Sequence, residues 1–295
     1  MMRSMEQRAY GTSGLTVSAI GFGAGHIGDV SLTEDEAGRL LNALVDAGVT
    51  LFDTARSYGL SEERIGRHLA HRRHELVLST KIGYGIDGYE DWTGAIVAPA
   101  VDRALGMLRT DVIDIVHLHS CPLDVLQRGD VVEALGRCVE QGKVRVAAYS
   151  GDNEPAEWAA ASGRFGGVQT SINLFDQRAI DRLLPGAGPL GVIAKRPLGN
   201  APWRFAERPV GDDAEEYWLR WQALDLDRGP LSWHELALRF TLSTPGVSSA
   251  ITGSRSLAHM QKNLDAAAKG PLPAEVYAAI RDAFRRHGAA WAGKI

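Results

Sequence analysis

Short apolar runs of strand length recur along this 295-residue chain, most of them followed by a stretch of helical periodicity. That alternation limits the fold to very few choices. The runs fall at 17–22, 49–53, 76–81, 112–119, 144–148, 167–170, 192–194 and 248–251. They are continuously apolar rather than alternating, as in a sheet buried on both faces. Between them, Ala37, Leu40, Leu41, Leu44 and Val45 repeat at helical spacing behind a Thr33–Glu36 capping box, and Val131, Val132, Leu135 and Val139 do the same. A hairpin is expected at 11–17. Residues 198–230 read as a long loop after the seventh strand, carrying Trp203, Phe205, Tyr217, Trp218 and Trp221. The segment after Pro273 reads as one more helix, running on to Trp291 and Ile295.

The expectation is an α/β fold in one domain over 1–295: a (β/α)8 TIM barrel with an N-terminal hairpin, a long loop after strand seven and a C-terminal helix. A doubly wound sheet would need a glycine-rich phosphate turn after the first strand. Residues 23–28 match G-x-G-x-x-G, but the acid expected after the second strand is Asp53, which belongs to a different motif. The glycine run is therefore read as a flexible strand-to-helix loop. A net charge of -4 offers no basic stripe for nucleic acid. No apolar run approaches the roughly 18 residues of a membrane span. The start, Met1 to Gln7, lacks an apolar signal core, so a cytoplasmic protein is expected. Cys121 and Cys138 are read as unpaired thiols.

In a parallel barrel the C-terminal strand ends share one face, where catalysis is built. Asp53, Lys81 and His119 stand at three successive strand ends, and Tyr58 lies just past the first of them. A free tyrosine titrates near ~10 and is a poor acid at neutral pH unless a neighbouring cation stabilises its phenolate. Lys81 supplies that cation and Asp53 holds it. His117 and His119 share one strand parity, so only one of them need be catalytic. A hydrolase would need paired carboxylates, and no His/Cys/Asp grouping has the look of a metal site.

Several ordered motifs now carry a likeness. They are Phe52-Asp53-Thr54-Ala55 with Tyr58-Gly59, Ser61-Glu62-Glu63-Arg64-Ile65-Gly66, Ser79-Thr80-Lys81 and Leu118-His119. Gly142-Lys143-Val144-Arg145, Gln169 to Asn173, and Ile251 to Ser256 with Asn263-Leu264 complete the set. Across nearly its whole length the chain resembles the aldo-keto reductase family. The resemblance implies a barrel that binds an extended nicotinamide cofactor. It implies Tyr58 as general acid, supported by Asp53, Lys81 and His119, and leaves His117 as a packed residue.

It also implies cofactor contacts from Ser150 and Gln169 at the nicotinamide, and from Gly253, Ser254, Arg255 and Asn263 at the other end. The forked donors of Arg255 suit a 2′-phosphate, so NADPH is expected over NADH. His259 stands where relatives often carry Gln or Arg. Gly151 stands where the family has Asn; Asn153 is the possible substitute, read here rather as a helix cap. Lys195 replaces an aromatic that stacks on the nicotinamide. Trp92, Trp203 and His26 are the substrate-side candidates, with Trp291 of the tail. The function expected is carbonyl–alcohol interconversion on a small molecule. The alternative is a non-catalytic nicotinamide-binding sensor or regulatory subunit of the same fold.

Overall fold

The computed structural model describes residues 5–294. Residues 1–4 and Ile295, on which the expectations for the chain start and the tail end partly fall, lie outside the described residues. Two short strands, β1 (Gln7–Ala9) and β2 (Thr16–Ser18), pair antiparallel with Gln7 opposite Ser18. Eight strands follow: β3 (Ile20–Gly23), β4 (Leu51–Asp53), β5 (Val77–Ile82), β6 (Ile113–His119), β7 (Val144–Ser150), β8 (Gly167–Ser171), β9 (Gly191–Lys195) and β10 (Ser249–Thr252). They close into a barrel, and every neighbouring pair, from β3·β4 round to β10·β3, is parallel.

The expected first strand, 17–22, is divided. Val17 belongs to the hairpin, and the barrel strand begins at Ile20. Ser18 is the reason. Its hydroxyl donates to the Ile20 carbonyl at 2.7 Å and accepts from the Thr50 amide at 3.0 Å, which bends the chain where a continuous ladder would otherwise run. The hairpin floors the barrel, with Tyr10 and Val17 fully buried against Leu51, Val77, Ile115, Val146 and Ile193.

Helices α1 (Glu34–Asp46), α2 (Ser61–Leu69), α3 (Gly94–Leu108), α4 (Leu123–Arg128), α5 (Asp130–Glu140), α6 (Asn153–Ala161) and α7 (Arg178–Arg182) alternate with the strands. They are followed by α8 (Glu215–Leu224), α9 (Trp233–Ser243), α10 (Leu257–Ala267) and α11 (Ala274–His287). The capping box of α1 is formed as the sequence indicates, Thr33 with Glu36. The stretch 198–230 is less of a loop than expected, because a 3-10 turn (Pro202–Arg204) and α8 lie within it. Its aromatic content explains the order: Tyr217 is fully buried with Phe175, Phe240 and Phe284 in a second apolar cluster beside the main core. Both cysteines are buried and free.

The glycine run after β3 is not a flexible loop. Ala24–Gly28 forms a 3-10 turn packed directly on the loop that carries Tyr58. The Leu60 amide donates to the Gly28 carbonyl at 3.1 Å. A Cβ on Gly28 would lie 1.6 Å from the Tyr58 carbonyl oxygen, so backbone meets backbone here. Arg64 of α2 fastens the same turn, its guanidinium donating to the carbonyls of Ile27 (2.6 Å), Asp29 (2.8 Å) and Leu32 (2.5 Å). Gly28→Ala should therefore push the Tyr58 loop outward at a cost of about 1–3 kcal/mol. Urea unfolding reads the loss, and unchanged stability would mean that the two backbones separate freely.

Candidate active site

Asp53 ends β4 and Lys81 lies one residue from the end of β5, so the barrel's register brings their side chains together at its C-terminal mouth. Lys81 Nζ lies 2.6 Å from Asp53 Oδ2 and donates at 2.8 Å to the Thr54 carbonyl; both side chains are 2% exposed. The second carboxylate oxygen of Asp53 accepts from Ser79 Oγ at 2.7 Å and from Gln169 Nε2 at 2.9 Å. Burial alone would raise the Asp53 carboxyl, but the Lys81 charge and its hydrogen bonds hold it below the usual carboxylate range. Burial alone would lower the Lys81 ammonium, but Asp53 keeps it above its ordinary value. Both groups are charged in the fold.

Tyr58 is brought to this pair. Lys81 Nζ lies over its ring, 4.9 Å from the centroid. On the other side the ring meets His119 edge-on at 6.2 Å. His119, at the end of β6, is held neutral: burial first, then the Lys81 and Lys195 charges, push its imidazole down to about 3. His117 is wholly buried, between Ser79 Oγ (3.1 Å) and the Tyr149 carbonyl (3.3 Å). Burial lowers it to about 4.

Sequence reasoning missed Tyr84, whose hydroxyl is 2.8 Å from His119 Nδ1. Its ring stacks on the imidazole at 5.6 Å and packs against Trp92 at 5.5 Å. It lies on the loop after β5, and no strand-end rule singles it out. Trp92 thus reaches the site through Tyr84. Trp203 instead packs against Phe175 at 6.5 Å in the second cluster. Trp291 does likewise, against Phe284 at 5.8 Å, with the Arg220 guanidinium 5.2 Å from its ring. His26 lines a cleft of about 420 Å³ together with Tyr58, Asp29 and Arg255.

Ser150, at the end of β7, is opposite Gln169 in the middle of β8, Ser150 Oγ donating to Gln169 Oε1 at 2.9 Å. With Nε2 on Asp53, that fixes the orientation of the Gln169 amide. A side chain at Gly151 would meet the Tyr149 hydroxyl at 2.3 Å, which explains why no Asn stands there. Asn153 is not the cap of α6. The cap position is Asp152, and Asn153 itself has φ 59°. Its amide pairs both ways with the Gly293 backbone, at 3.0 and 2.6 Å, and so holds the C-terminal tail, a contact that local spacing could not disclose. Arg196 donates to the Lys294 carbonyl (2.7 Å) and buried Asp176 accepts from the Lys294 amide (2.9 Å), extending the clasp. Burial pushes the Asp176 carboxyl up to about 7. Lys195 is accounted for as well: it pairs with buried Asp152 at 2.8 Å, whose other oxygen accepts from Thr170 and Ser171.

At the opposite end, Gly253 follows β10, and a Cβ there would come within 2.5 Å of the Gly23 carbonyl. Arg255, half exposed, reaches Ser31 Oγ at 3.0 Å and Asp29 at 3.3 Å. Ser254 lies 3.3 Å from His259, and Ser256 caps α10. Asn263 is buried, its amide oxygen 2.7 Å from His234 Nε2.

A model described as the Aldo/keto reductase family matches residues 19–285. The chain belongs to that family. It is 27% identical over 96% of its length to the uncharacterized oxidoreductase YqkF of Bacillus subtilis (strain 168), covering 99% of that protein. A probable voltage-gated potassium channel subunit beta of Oryza sativa subsp. japonica is 29% identical, with 89% and 91% of the two chains covered. Among solved structures, the holo form of aldo-keto reductase AKR11C1 from Bacillus halodurans superposes with a TM-score of 0.80 at 28% identity, over 97% of each chain. Family membership and the oxidoreductase and reductase names among these relatives support an oxidoreductase.

Tyr84→Phe should lower kcat roughly fivefold, about the worth of one lost hydrogen bond near 1 kcal/mol, while cofactor affinity is kept. A kcat equal to wild type would leave Tyr84 only a packing role. His119 carries its proton less readily folded than unfolded, so its stabilisation is complete above the ordinary histidine value near ~6.5 and is lost as pH falls toward about 3. His119→Gln should accordingly gain stability relative to wild type as pH is lowered through that window. Thermal unfolding of both proteins at several pH values reads it; a pH-independent difference contradicts the neutral imidazole.

Proposed function

We propose that the protein is an NADPH-dependent reductase interconverting a carbonyl (aldehyde, ketone or sugar) and its alcohol. The observation carrying it is the Lys81 ammonium, paired with Asp53 at 2.6 Å and lying over the Tyr58 ring, with neutral His119 alongside. When bound, the reduced nicotinamide supplies a hydride to the carbonyl carbon. Tyr58 gives its hydroxyl proton to the carbonyl oxygen. Lys81 stabilises the phenolate left behind, and Asp53 keeps Lys81 charged and in place. His119 orients the same oxygen with the ring nitrogen that Tyr84 does not engage. Run backwards, the same groups take the proton from an alcohol.

The residues fit the cofactor. The oriented Gln169 amide and the Ser150 hydroxyl retain the donor and acceptor capacity that a carboxamide needs. Ser254 and Arg255, just before α10, suit a 2′-phosphate, Arg255 lining a cleft that runs to Tyr58. Asn263 is assigned to the adenine side of that helix. A cytoplasmic setting and a small-molecule partner go with this reading. A nicotinamide-binding regulatory subunit is the second reading, favoured by the 29% identity to the rice channel subunit; the grouping of Asp53, Tyr58, Lys81 and His119 supports the enzyme.

NADPH oxidation with 4-nitrobenzaldehyde tests the choice. Tyr58→Phe should lose about 10²–10⁴-fold in turnover while quenching of NADPH fluorescence is kept. Binding without turnover in a broad carbonyl panel would favour the regulatory subunit, and no binding would end both readings. Arg255→Ala should raise the Michaelis constant for NADPH about tenfold and leave that for NADH within about twofold. Equal effects would contradict the 2′-phosphate assignment.

A further inference from the structure

Arg56 lies two residues before Tyr58 in the same loop, and the mechanism above leaves it unused. Its side chain is half-buried, and among the described residues it has neither a hydrogen bond nor an ion pair. Its Nε is buried without any acceptor. The guanidinium is nonetheless fixed in place. It lies over the Tyr84 ring at 5.6 Å from the centroid. Its Nη2 sits where a Cβ on Gly85 would be, 2.0 Å from that position, so Gly85 leaves the room it occupies. The one carboxylate bonded into this stretch of the loop, Asp91, is used on the Gly85 amide at 2.7 Å. Tyr84 carries His119 on its hydroxyl at 2.8 Å, so the unpaired cation stands one ring away from the imidazole.

A buried guanidinium N–H without an acceptor is costly, and a planar fork of donors fits a carboxylate or phosphate better than any other group. Resting on the reductase reading above, we infer that Arg56 is an anion subsite, and that the preferred substrate is a carbonyl compound bearing a carboxylate or phosphate a few bonds from the reacting carbon. The anion docks on Arg56 at the Tyr84 edge of the mouth while the carbonyl oxygen lies between Tyr58 and His119. The imidazole is neutral, and Lys81 and Lys195 are each paired with a buried carboxylate, which leaves Arg56 as the recognition element for the far end of the substrate.

The test compares 4-formylbenzoate with its neutral isostere 4-formylbenzamide in NADPH oxidation. The wild type should favour the carboxylate at least tenfold in kcat/KM, the worth of one charge-assisted contact, with the preference shrinking as salt is added. Arg56→Ala and Arg56→Gln should each abolish the preference, and Arg56→Lys should restore part of it. Parallel use of 3-formylphenyl phosphate separates carboxylate from phosphate recognition. Competitive inhibition by terephthalate against terephthalamide, measured as displacement in equilibrium binding, gives a readout independent of turnover and should show the same dependence on Arg56. Turnover of the amide at least as fast as the carboxylate, or a preference that survives in Arg56→Ala and Arg56→Gln, overturns the subsite and leaves the reductase reading standing. Reduction of neither aldehyde by NADPH-loaded protein overturns both.

Discussion

Two opposite charges buried at the mouth of the barrel, Lys81 and Asp53, set the terms for everything around them. Taking both out of water costs several kcal/mol per ion unless each lone pair and proton is met. Here they are met: Ser79, Gln169 and the Thr54 carbonyl complete the shell. Those three partners come from strand β5, strand β8 and the loop after β4, so the pair is satisfied only when the barrel has closed in its native register. The same closure puts Tyr58 over the ammonium and His119 beside the ring. Chemistry and fold thus depend on one network, and losing either ion would leave its partner charged and buried.

The loops supply what the strands cannot. Tyr58 is carried by a segment that would swing if it were not pressed against the 3-10 turn at Gly28 and tied down by Arg64. On the far side of the mouth a second ion pair, Lys195 with Asp152, plays a similar part for the ends of β7 to β9, with Thr170 and Ser171 bonded to the same carboxylate. Asn153, Asp176 and Arg196 then draw the backbone of the tail across those strand ends. The rim is therefore tied by hydrogen bonds on both sides, which suits a site whose groups have to be positioned before substrate arrives.

Much of this could be read from the chain. The period-matched apolar runs and the strand-end polar residues identified the barrel and the Asp53, Tyr58, Lys81 and His119 grouping, because a parallel barrel sends every strand end to one face. What escaped the sequence depends on contacts between distant segments. Asn153 reads as a cap in its local sequence, and only the tail, 140 residues on, shows what it holds. Gly151 looked like a missing amide, whereas a Cβ there would lie 2.3 Å from the Tyr149 hydroxyl. Gly23–Gly28 imitates a phosphate turn, but of its three glycines only Gly28 is required by close backbone contact. Tyr84 and Trp203 could not be sorted by composition: both are loop aromatics, yet one meets His119 and the other the cluster around Phe175.

If the buried pair is one unit, its two halves cannot be removed independently. The direct measurement is a double-mutant cycle on kcat/KM for carbonyl reduction with Asp53→Asn, Lys81→Met and the double variant. The double variant should be no worse than the poorer single variant by more than about threefold, since the second change removes a partner already made useless. Losses that multiply across the two positions would show that Asp53 and Lys81 act separately, and the account of the site as a single charged network would be wrong.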